Sequence, residues 1–148
     1  MPQLITAIDI DAPVERVWDI LSDTASWESW NPLLRDFKGT LREGAKAKVS
    51  LLFEGKKLPV SVELVEVKPR ERLAWIGPAF KPARSIFSGM HYFELKEIEG
   101  GRTRLVHGER FRGLIPDGEW FWRSAEPRVE PAYMAFNEAL KARAEAGA

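Results

Sequence analysis

The chain of 148 residues has no cysteine, which removes disulfides, thiolate metal sites and thiol nucleophiles together. No charge of one sign prevails: 22 Lys and Arg face 22 Asp and Glu, and the formal net charge is zero. Such a chain has no electrostatic reason to seek nucleic acid or an anionic membrane. No apolar run approaches the ~20 residues that cross a bilayer. Residues 1–11 carry acids where the apolar core of a secretory signal would stand. Phosphate-cradling loops, GxGxxG and GxSxG are missing, and no Ser or Thr has a base patterned beside it. The expected product is soluble and cytoplasmic, one domain over residues 1–148, with no nucleic-acid partner and no stable membrane insertion.

Aromatics are plentiful instead: six Trp and eight Phe, a heavy load for a core that aliphatic side chains could fill. Hydrophobic residues at 45% and charged residues at 30% are ordinary globular values, so the chain can build a core without staples.

Periodicity orders the chain. Leu4, Thr6, Ile8 and Ile10 alternate as a half-buried strand. Pro13 suits the first turn of a helix whose apolar stripe is Val14, Val17, Trp18 and Leu21. Ser26 is placed to cap a second short helix holding Trp27 and Trp30, closed by Asn31-Pro32. Alternating strands follow, with turns at Glu54-Gly55 and Pro69-Arg70. A slip of phase at Leu64-Val65 predicts a β-bulge that bends the sheet. Leu73 to Ile76 is a short strand and Gly77 to Ser85 a loop. Residues 86–98 and 102–112 are the last two strands. An irregular stretch precedes a long C-terminal helix marked by Val129, Ala132, Tyr133, Phe136 and Leu140, with Pro131 either in its first turn or at a kink. Hairpins in the middle and helices toward the ends give an α+β fold. A sheet bent around one helix leaves a space that is either filled by side chains or a pocket.

The run Ile8-x-Ile10-x-Ala12-Pro13-x-x-x-Val17-Trp18-x-x-Leu21-x-Asp23, followed by Trp30-Asn31-Pro32, resembles the opening of the START-like, polyketide-cyclase superfamily (SRPBCC). Leu73-x-Trp75-x-Gly77, His91-x-Phe93-x-Leu95, Thr103-x-Leu105-x-His107-x-Glu109-x-Phe111 and Asn137-x-Ala139-Leu140 fit in order over nearly the whole chain. The resemblance implies a helix-grip fold, a seven-stranded antiparallel sheet wrapped around the C-terminal helix over an apolar cavity. Its members include aromatic polyketide cyclases, lipid carriers, hormone receptors and chaperone cofactors, so it leaves activity open. The chain departs from the family pattern between Leu114 and Pro131, which is long, proline-punctuated and Trp-rich.

Chemistry concentrates on the last two strands. Parity puts Phe87, Gly89, His91, Phe93 and Leu95 on one face, and Thr103, Leu105, His107, Glu109 and Phe111 on the matching face. A three-residue hairpin, Glu99-Gly100-Gly101, sets Leu95 opposite Leu105, Phe93 opposite His107 and His91 opposite Glu109. His91, His107 and Glu109 are therefore the candidate catalytic cluster, since His beside a carboxylate serves as general acid or base. The competing reading is an ion pair that fixes register. The same three residues could form a metal face, but no helical HExxH accompanies them, so neither metal nor cofactor is expected. The aromatic set expected at a ligand is Trp30, Phe53, Trp75, Phe87, Phe93, Phe111, Trp120, Trp122, Tyr133 and Phe136. Lys81 and Arg84 stand on a loop where they either attract a ligand carboxylate or are merely solvated. The leading expectation is a binding protein, monomer or homodimer, for a hydrophobic or aromatic small molecule. A cyclase or dehydratase acting through the cluster is one alternative; an interaction or chaperone-cofactor module with a filled cavity is the other.

Overall fold

The structure, a computed structural model, describes residues 3–115 and 119–147, and among these the side chains of all but 119–124. Alternation decides most of the architecture. In β1 (Gln3–Ile10) Leu4, Thr6 and Ile10 are buried while Gln3, Ile5 and Ala7 are exposed. Pro13 is extended and stands at the N-cap of α1 (Val14–Ser22), one residue outside its expected first-turn place. Val17, Trp18 and Leu21 are the buried stripe of α1. A 3₁₀ turn, Thr24–Ser26, leads into α2 (Trp27–Trp30). The expected cap at Ser26 does not form. Its hydroxyl donates to Asp23 O at 2.8 Å and accepts from Trp30 Nε1 at 3.2 Å, holding the tight turn instead.

The remaining strands are β2 (Leu34–Lys38), β3 (Lys46–Phe53), β4 (Lys56–Lys68), β5 (Arg72–Gly77), β6 (Ser88–Ile98) and β7 (Arg102–Arg112). They form one antiparallel sheet in the order β1-β7-β6-β5-β4-β3-β2. The pairing of β4 with β5 shifts between Leu64 and Glu66, so the bulge falls where the phase of the sequence slips. A bulge bends its strand, and here it turns the sheet toward its concave face. Gly100 and Gly101 sit at φ 78° and 71°, the left-handed conformations that the three-residue hairpin demands. Leu95 pairs with Leu105, Phe93 with His107 and His91 with Glu109, as parity requires. Between β5 and β6 the expected loop contains a 3₁₀ turn, Lys81–Ser85, opened by Pro82.

The C-terminal helix, α3 (Glu119–Glu145), starts well before the expected Val129 and carries both Pro127 and Pro131 inside it. Pro131 is therefore not in its first turn. Proline removes one hydrogen bond and crowds the preceding turn, yet the helix runs through both positions. Tyr133, Phe136, Leu140 and Ala144 are its buried stripe. The last turns are tied down by polar contacts. Arg16 Nε donates to Ala144 O, Lys141 Nζ donates to Asp9 O at 3.1 Å, and the Asp11 N–H donates to Glu145 Oε2 at 2.8 Å. The first of these satisfies a carbonyl that a helix end leaves orphaned. A curved seven-stranded antiparallel sheet gripping one long helix is the helix-grip α+β architecture.

Candidate functional site

The sheet and α3 do not close on each other everywhere. Toward the C-terminal half of α3 the space is solid core: Phe136, Leu140 and Ala144 are fully buried. Toward its N-terminal half, under Val129 and Tyr133, a cavity of about 790 Å³ remains, within the ordinary range of ligand sites. Its aliphatic wall comes from Leu33, Leu51, Val60 and Val62; Phe53, Trp75, Phe87 and Phe111 supply the aromatic part. Phe80, Ile86 and Leu58 line its rim and are exposed. Arg84 holds the bordering loop, donating to Pro78 O at 2.8 Å and Ala79 O at 3.3 Å and facing Glu63 at 3.4 Å. Its guanidinium is thus engaged within the chain, while Lys81 on the same loop is exposed.

At one wall the lining turns polar, and β6, β7 and α3 supply it together. His91 and Glu109 are cross-strand partners, with His91 Nδ1 3.2 Å from Glu109 Oε1. Tyr133, reaching down from α3, donates its hydroxyl to Glu109 Oε1 and lies 3.3 Å from His91 Nδ1. Behind His91 stands His107, the two Nε2 atoms 2.7 Å apart. His107 Nδ1 is 2.8 Å from Asn137 Oδ1, and Asn137 Nδ2 donates to Thr6 Oγ1 at 2.8 Å. Thr6 in turn donates to the carbonyl of His107 at 2.7 Å.

This chain of contacts has a fixed direction. The single hydroxyl hydrogen of Thr6 is committed to a carbonyl, so Thr6 Oγ1 must accept from the Asn137 amide. Asn137 Oδ1 is then an acceptor, and His107 Nδ1 carries a hydrogen. Burial pushes the imidazole of His107 well below its usual range, with the charge of His91 adding to the shift and the Asn137 bond opposing it. His107 is therefore neutral, its Nε2 accepts, and His91 Nε2 must carry the donated hydrogen. Two arrangements satisfy what remains: imidazolium His91 against carboxylate Glu109, or neutral His91 accepting from a protonated Oε1. In both, a proton lies between His91 Nδ1 and Glu109 Oε1. Tyr133 cannot replace either partner as a base, since burial first and Glu109 second push its phenol well above the usual value.

Stacking holds these rings in place. Tyr133 lies over His107 with centroids 4.4 Å apart and planes 2° from parallel, and Phe93 stacks on the same imidazole at 4.5 Å. Trp75 stacks on His91 at 5.2 Å.

The sequence-predicted residues divide accordingly. His91, Glu109, Phe53, Trp75, Phe87, Phe111 and Tyr133 line the cavity. His107, Phe93 and Phe136 lie behind it in the core, and Trp30 packs on Phe136 at 5.6 Å rather than lining the cavity. The physical reason is depth: these rings face inward, but they sit where α3 already meets the sheet. Trp120 and Trp122 fall on the start of α3, and their side chains lie outside the described residues. Among the described residues no three His, Cys, Asp or Glu side chains are grouped to hold a metal ion. The two His nitrogens face each other as partners in one hydrogen bond rather than two ligands of one ion. Thr6 and Asn137 join the site without having been expected there. Both are polar residues on otherwise apolar inward stripes, and that mismatch is the sequence signal that marks them.

Residues 1–145 match the family described as polyketide cyclase / dehydrase and lipid transport. The chain belongs to this family. No curated protein matches it in sequence. Among solved structures it is similar to a protein of Thermus thermophilus, with TM-score 0.74, 20% identity, and 99% of each chain covered. It is also similar to the Zhui aromatase/cyclase of a Streptomyces species, with TM-score 0.72, 16% identity, and 97% of this chain and 93% of that one covered. A START superfamily protein of Mycobacterium smegmatis aligns with TM-score 0.70, 14% identity, and 97% of both chains covered. At these identities the shared property is the fold. Within the polyketide cyclase family, activity must be argued from the cavity of this chain.

Proposed function

We propose that this polyketide cyclase family member is a one-domain small-molecule binding protein that takes a hydrophobic or aromatic ligand into the cavity between the curved sheet and α3. The observation that carries the reading is the cavity itself: about 790 Å³, walled by apolar and aromatic side chains, with one polar wall. Buried apolar surface supplies affinity there, and the polar wall supplies orientation.

Native mass spectrometry of the purified chain, followed by a thermal-shift panel of lipids, flavonoids and polyketides, tests the reading. A bound small molecule or a panel shift that disappears in Val60→Trp, whose indole would enter the cavity, supports it. No adduct and no shift across the panel overturns it.

A second reading is favoured by one feature, the contact between His91 and Glu109 at the cavity wall. A pair of that kind can accept and return a proton, as a cyclase or dehydratase-like enzyme needs. His91 and Glu109 would touch the substrate, whereas His107 would act through His91. Turnover of an aromatic polyketide that is lost in His91→Gln, with binding kept, separates this enzyme from a carrier.

A further inference from the structure

Counting donors and acceptors at the polar wall limits what the ligand can present to it; this step rests on the ligand-binding reading. His91 Nε2–H is committed to His107, and Nδ1 to Glu109 and Tyr133. The hydroxyl hydrogen of Tyr133 is committed to Glu109 Oε1. Glu109 Oε2 remains, and it is an acceptor in both proton arrangements of the pair. It lies against Gly89, where a Cβ would collide with it, and Gly89 is itself part of the cavity wall. Glycine at this position thus makes room for the carboxyl group on the cavity floor.

No Lys or Arg lines the cavity among the described residues. The other lining side chains with polar atoms are Ser61, which is exposed, and Trp75, whose ring is stacked on His91. A ligand carboxylate or phosphate would lose its hydration and face Glu109 with no Lys or Arg to offset either cost. An ammonium group would lose its hydration as well, and the one carboxyl group it would meet is already engaged by His91 and Tyr133. A neutral hydroxyl meets neither cost and donates a hydrogen bond that Glu109 Oε2 can accept.

The geometry points to a ligand that presents a neutral hydroxyl to Glu109 Oε2, and to rejection of ligands whose polar end is an acid. Four probes on one frame test this at neutral pH by quenching of tryptophan fluorescence: biphenyl, para-phenylphenol, para-phenylbenzoate and para-phenylbenzylammonium. The phenol should bind about tenfold tighter than the other three, the size expected of one hydrogen bond to a carboxylate. In Glu109→Gln, whose amide can turn a donor toward the cavity, the preference of phenol over benzoate should fall to about threefold or less. Benzoate or ammonium binding as tightly as the phenol overturns the inference, as does an unchanged preference in Glu109→Gln. If that variant does not fold, the four constants of the unmodified chain decide alone. Equal binding by biphenyl, phenol and benzoate removes this inference and leaves the cavity reading standing. Binding by none of the four removes both.

Discussion

His91 stands directly opposite Glu109 across β6 and β7, its Nδ1 3.2 Å from Glu109 Oε1, with the two side chains only 4% and 16% exposed. Removing His91 leaves the Tyr133 hydroxyl as the one protein partner of the Glu109 carboxyl group among the described residues. His91→Leu should destabilise the chain by about 2–4 kcal/mol, against roughly 0.5 kcal/mol for an exposed pair. The double change His91→Leu with Glu109→Leu should cost less than His91→Leu alone, because no orphaned carboxyl is left. Denaturant melts of the two singles and the double measure this, and a double that equals the sum of the singles refutes the coupling.

That pairing was open to inspection in the sequence because strand parity allows registers only in steps of two, and the Gly100-Gly101 hairpin chooses among them. The extent of α3 was not. Pro127 and Pro131 argue locally against a helix, and the apolar stripe that marks it begins only at Val129. Alternation also fails to separate core from cavity. Phe93 is two residues from His91 on the same face of β6, yet His91 lines the cavity while Phe93 is closed off by Phe136 at 5.2 Å. Both rings face inward; which of them meets empty space depends on how far the sheet has bent away from α3. Curvature is a property of several strands together, so no single strand displays it.

The direction of the hydrogen-bond chain is a spectroscopic prediction. Long-range nitrogen–proton correlation of the imidazoles should show His107 protonated at Nδ1 and bare at Nε2, with His91 carrying a hydrogen on Nε2. Asn137→Leu removes the side-chain acceptor that fixes this state and leaves the buried His107 donor with the Tyr133 backbone alone, at a cost of about 1 kcal/mol. The tautomer signal of His107 should become mixed in that variant. A wild-type His107 protonated at Nε2 would reverse the derived direction and with it the role of Asn137.

Arg16 closes the far end of α3 from another element. Its Nε donates to Ala144 O and its Nη2 reaches Arg143 O at 3.3 Å. A cation on the last carbonyls of a helix complements their partial negative charge and satisfies acceptors that have no helical partner. Arg16→Leu should lower stability by about 1 kcal/mol and raise amide exchange first in the last turn of α3. Exchange unchanged there, with stability lost elsewhere, would mean Arg16 acts by packing alone.

His107 makes stability depend on pH. In the folded chain burial holds it neutral, its proton affinity well below that of the unfolded chain, where histidine titrates near 6.5. Below about pH 6.5 the unfolded state therefore binds a proton that the folded state refuses, and unfolding is favoured. The contribution of His107 is fully present above that pH. It is lost as pH falls toward the depressed folded value, at up to about 1.4 kcal/mol per pH unit. His107→Gln removes the titrating group while keeping a side chain able to hydrogen-bond, so its stability should fall less steeply than that of the unmodified chain between about pH 6.5 and 5. Denaturant melts at matched ionic strength across that window measure the difference in slope. Parallel profiles would mean that the folded chain protonates His107 as readily as the unfolded one does. The neutral state from which the direction of the whole network was derived would then be wrong.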